Sequence, residues 1–71
     1  MFHVTILAVA LLPDANTQDL DAVGDGESKP AARFAAETHL KQQLNYLRVL
    51  TQGQVVLHHV HAPIFSEVDH A

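Results

Sequence analysis

The sequence predicts an α+β fold, a β-α-β protomer of two or three strands and one long helix, and three observations carry it. An apolar, β-branched run occupies residues 2–12. A capped 3.6-residue periodicity runs over 29–52, and a second β-branched run, 54–62, is closed by Pro63. With 71 residues, 48% apolar and 17% charged, the chain is one small domain, residues 1–71, too hydrophobic and too weakly charged for a disordered tail.

The first strand, 2–12, has apolar residues on both faces; its polar residues His3 and Thr5 share one face near the N-terminus. Residues 13–28 change character. They hold five of the eight acidic residues (Asp14, Asp19, Asp21, Asp25, Glu27) among Gly, Asn and Ser, and read as an acidic loop pinned by Leu20 and Val23. Ser28-Lys29-Pro30 is a helix start, with a capping hydroxyl and a proline in the first turn, and Gly53 is a stop. Between them Ala32, Ala36, Leu40, Gln43, Leu47 and Leu50 share one side. The second strand, 54–62, is rich in histidine, and the tail 63–71 is open between a short strand and one helical turn.

Two parallel strands joined through a helix would make a right-handed crossover, dimeric ferredoxin-like in style. One helix covers only one face of a sheet, and a two-stranded sheet is marginal in water, so the second face needs a cover. Chains this short commonly gain stability from disulfides, metals or subunits, and the cysteine count of zero removes disulfides and Cys-based zinc sites. A homo-oligomer, most simply a twofold dimer with a continuous sheet, is the expectation. Phe34 and Val49, opposite Leu40 and Leu47 on the helix, are its candidate contacts, alongside Asp19, Asp21 and Asp25 for a basic protein partner.

The histidines are the most unusual feature, with His58, His59 and His61 in one strand and His3, His39 and His70 elsewhere. Alternation puts His59 and His61 on one face, where an H-x-H pair can chelate Zn, Ni or Cu if a third ligand arrives from His39, Glu67, Asp69, His70 or His3. Gly53 followed after five residues by His59-x-His61 resembles the first half of the first cupin motif; Glu67 comes later than that motif's carboxylate, and the chain is too short for a cupin barrel. The same histidines at an interface would loosen it on protonation, since the imidazole titrates near pH 6.5.

Other chemistries fit less well. Asp14 and Asn16 are spaced like EF-hand ligands, but the sixth and twelfth positions are Asp19 and Asp25 instead of Gly and Glu. Gly24-Asp25-Gly26 lacks a third glycine and places carboxylates where a phosphate would sit. The only basic residues are Lys29, Arg33, Lys41 and Arg48 against a net charge of −4, which argues against nucleic acid. Ser66 with Asp69 and His70 is not a triad by sequence alone, and a third expectation, a small-ligand enzyme of dimeric ferredoxin-like type with a cleft between helix and sheet and His59 or Tyr46 as the acid/base group, has fold-level analogy alone behind it. Residues 4–12 have the length of a signal-peptide core, but no Lys or Arg precedes Lys29, and the run is too short to span a bilayer; a cytoplasmic, membrane-free protein is expected. The functional expectation is a small non-enzymatic protein-interaction module, a regulator or inhibitor of phage or plasmid type acting as a homo-oligomer and needing no cofactor. The alternative is a His-cluster metal-binding protein or small metal-dependent enzyme using His59 and His61.

Overall fold

A computed structural model of the chain describes residues 1–68. Its elements are β1 (Phe2–Leu11), β2 (Thr17–Gly26), α1 (Lys29–Leu50), β3 (Val56–Val60) and β4 (Ile64–Glu67). The α+β class holds, but the sheet is not a parallel β-α-β unit. All four strands form one antiparallel, open sheet with β1 in the centre. β2 runs along one side of β1 over its full length, while β3 pairs with Ala8–Leu11 and β4 with Phe2–Thr5 on the other side. β3 and β4 thus act as one interrupted strand.

The acidic segment expected as a loop is a ten-residue strand. The chain turns back at Leu12-Pro13-Asp14-Ala15, where Ala15 N–H donates to Leu12 O (3.1 Å) and Leu12 N–H to Asn16 O (2.9 Å). Proline presets the first turn position, and Ala15, at φ 67°, takes the left-handed one that usually falls to glycine. The Asn16 side-chain amide, and then its backbone N–H, bond to the Asp14 carboxylate and hold it below its ordinary pKa. From there β2 alternates: Leu20, Ala22 and Gly24 are buried, while Asp19, Asp21, Val23 and Asp25 are exposed on the opposite face.

The helix starts where the sequence marks it, with Ser28 Oγ accepting from Ala31 N–H and Pro30 in the first turn. It ends through Thr51 N–H to Leu47 O (2.9 Å) and Gly53 N–H to Arg48 O (2.8 Å), with Gly53 at φ 83°. Ala32, Ala36 and Leu40, one turn apart, are the buried residues of α1. They settle onto the glycine end of β2 so closely that a Cβ on Gly24 would collide with the backbone of Ala32 and Ala36. The helix therefore lies over β2 and β1 and leaves β3 uncovered.

The core is thin. Among the described residues ten hydrophobic ones are buried, five of them alanines, and Val4 is the largest side chain that is fully enclosed. Fourteen large hydrophobics are exposed among the described residues. The radius of gyration, 13.6 Å, exceeds the roughly 11 Å typical of a compact domain this long. Among the described residues no helix is long and apolar enough to cross a membrane.

Candidate functional site

Among the described residues nothing covers the face of the sheet away from α1. Residues directly opposite one another across paired strands share a face, so the register gives its layout. The central column is His3, Thr5, Leu7, Val9 and Leu11 of β1. The β2 column beside it is Asp25, Val23, Asp21, Asp19 and Thr17. On the other side Ser66 stands opposite His3, Ile64 opposite Thr5, His59 opposite Val9, and Val56 opposite Leu11. His61, whose N–H donates to Leu7 O (2.9 Å), completes that column. Two rows thus read Asp19-Val9-His59 and Asp21-Leu7-His61, carboxylate to imidazole across an aliphatic centre. A shallow depression of about 300 Å³ over Leu7 and Val9 is bounded by Asp19, Asp21 and His61.

A register shift between Val9 and Ala10 leaves His58 as the extra residue of a bulge, since His59 pairs with Val9 and Leu57 with Ala10. The rings of His59 and His61 meet edge to face, with centroids 4.5 Å apart. His3 Nδ1 and Asp25 Oδ1 pair at 2.7 Å at the far end of the same face.

The other ligand candidates are not brought to His59 and His61. His39 lies on the helix side, where its Nδ1 accepts from the Val23 backbone N–H (3.0 Å) on the outer edge of β2. Glu67 stands opposite Phe2 on the helix-side face. Asp69 and His70 lie outside the described residues. Among the described residues no group of three His, Asp or Glu side chains is placed to hold a metal within one chain. Phe34 and Val49 project from α1 at 73% and 79% exposure and are not among the hydrophobics packed against the core. Asp19, Asp21 and Asp25 belong to a strand and not to a loop.

The cleft expected between helix and sheet is a groove of about 860 Å³ between α1 and β3, whose lining sequence reasoning did not name, opened because the helix sits over β2 instead of the sheet centre. Leu40, Leu44, Leu57 and Val60 line it, and Arg33, Lys41 and Arg48 stand around it with Glu37. Arg33 and Glu37 are paired at 2.9 Å. Three of the four basic residues gather at this groove, while three aspartates gather on the opposite side of the sheet. The signal lay in the spacing of Arg33, Lys41 and Arg48 along one helix flank.

No family model, curated protein or solved structure matches this chain.

Proposed function

We propose that this chain is a small, non-enzymatic protein-interaction module that works as a homodimer, two copies joined face to face through the bare side of the sheet. The observation that carries the reading is that both edges of the sheet are guarded and this face is not. On β2, helix side chains occupy the middle of the outer edge: His39 takes the Val23 N–H, and Gln43 Nε2 donates to the Asp21 carbonyl at 2.8 Å. The opposite edge is broken into strands of five and four residues, with a bulge at His58 and Pro63 between them. Short, bulged and proline-interrupted edges resist pairing with another strand. A continuous sheet across the dimer is therefore disfavoured.

The bare face, by contrast, presents Leu7, Leu11, Val23, Val56 and Ile64, each at least 36% exposed, around Val9. These six stand among nine polar positions, giving the face an apolar centre in Leu7, Val9 and Leu11 with polar residues around it, the layout of a protein–protein contact. Its footprint, three strands by ten residues, measures roughly 14 Å by 33 Å, so two copies would remove about 1,000 Å² from water, the lower end of specific interfaces. Flat faces can pack on themselves around a twofold axis; the concave groove at α1 cannot fill its own copy. The groove stays free in this dimer, and a regulator or inhibitor would engage its target there, through an apolar segment carrying acidic residues. The acidic strand, covered in the dimer, is then not the contact for a basic partner.

Sedimentation equilibrium tests the reading. The wild-type chain is expected at twice its 7.8 kDa mass, and Leu7→Asp is expected to be monomeric with its helix signal retained. A wild-type monomer, or an unchanged dimer in Leu7→Asp, overturns it.

A further inference from the structure

We infer a zinc site that forms only between two copies of the chain, His59 and His61 of one protomer with Asp19 and Asp21 of its partner, twice per dimer. The inference rests on the face-to-face dimer proposed above. Two stacked sheets can be related by a twofold axis in only two principal ways, across the strands or along them. An axis across the strands sets the β2 column on the partner's β2 column in reverse order, so that with the crossing between Leu7 and Val9 Asp19 of each copy meets Asp21 of the other, and closing such a contact would desolvate like charges together. An axis along β1 exchanges the outer columns instead, so the aspartates of one copy face the histidines of the other.

That second axis also preserves rows, because it leaves position along the strand unchanged. Asp19 shares its row with His59, and Asp21 sits opposite Leu7, beside which His61 is held. Asp19 consequently faces the partner's His59, and Asp21 the partner's His61. Packed sheets cross at a small angle, so the match is best near the crossing point, between Leu7 and Val9, where both rows lie.

The spacing suits a metal better than direct pairing of single residues. Sheets stack about 10 Å apart, and Asp and His side chains reaching inward from both sides can share an ion at ligand distances of about 2.0–2.2 Å. Two imidazole nitrogens and two carboxylate oxygens are a donor set for tetrahedral zinc. Within one chain the set is incomplete: His59 and His61 touch each other, but the two carboxylates stand beyond Val9 and Leu7, and no three ligands converge. Among the described residues neither Asp19 nor Asp21 has a side-chain partner, whereas Asp25 is held by His3. Two buried carboxylates would be left uncompensated when the faces close, and one divalent ion per site balances them.

Native mass spectrometry of chelator-stripped protein with added zinc tests this, using His59→Ala/His61→Ala and Asp19→Asn/Asp21→Asn alongside wild type. The expected result is two zinc ions per wild-type dimer and loss of zinc uptake in either variant alone. Mixing the two variants restores one complete site per heterodimer, so that species is expected to take up one zinc. Zinc on wild-type monomers, zinc retained by either variant dimer, or a zinc-free heterodimer overturns the site. A dimer that takes up no zinc overturns the site and leaves the interaction reading standing, whereas a monomer without zinc overturns both.

Discussion

Ala15 shows how much one residue can be asked to bear. It holds the left-handed position of the β1–β2 turn at φ 67°, where a Cβ crowds the following carbonyl. Replacing it with glycine removes that strain but adds freedom to the unfolded chain, so Ala15→Gly is expected to stabilise by about 0.5 kcal/mol, read as a higher melting temperature. The missing glycine is also why the turn was hard to read, since Pro13-Asp14 is a turn signal that ordinarily ends in glycine. The H-x-H spacing was easier. His59 and His61 needed only strand alternation to be placed together, and the bulge at His58 lies on the other side of His59. His39 was unreadable as an edge cap, because its bond to Val23 depends on how the helix lies on the sheet, which no local pattern records.

At the level of elements, β2 is the lesson. Asp and Gly are poor strand formers, and a segment with Asp19, Asp21, Gly24, Asp25 and Gly26 carries loop composition. Its period of two was nonetheless present, with Leu20, Ala22 and Gly24 alternating against aspartates and Val23. Pairing with β1 and the alanine seam of α1 decided the matter. The glycine that looked like a breaker is where the helix backbone approaches most closely. Gly24→Ala is expected to cost about 2 kcal/mol or more, seen as a lower denaturant midpoint at unchanged slope, because the atoms in the way are backbone and cannot step aside. The helix was legible to within a few residues, since Ser28, Pro30 and Gly53 act locally. What its apolar stripe covers was not: Leu50 continues the stripe but remains 62% exposed.

For the whole molecule, an alanine-rich core and an elongated outline enclose few large side chains, so the proposed pairing of two copies is expected to couple folding to association. The melting temperature is expected to rise by about 10 °C over a hundredfold increase in protein concentration, given an unfolding enthalpy near 0.7 kcal/mol per residue for both chains. A melting temperature independent of concentration would separate the fold from the dimer. The sequence by itself determined the α+β class, the long capped helix and the histidine pair, because capping, periodicity and composition act over a few residues or none. Only the tertiary structure decided that the acidic segment is a strand, that all strands are antiparallel, and that aspartates and histidines flank β1 in shared rows. Those outcomes depend on register between distant segments, and register is set by which side chains the helix can bury, an energy that exists only once the pieces have met.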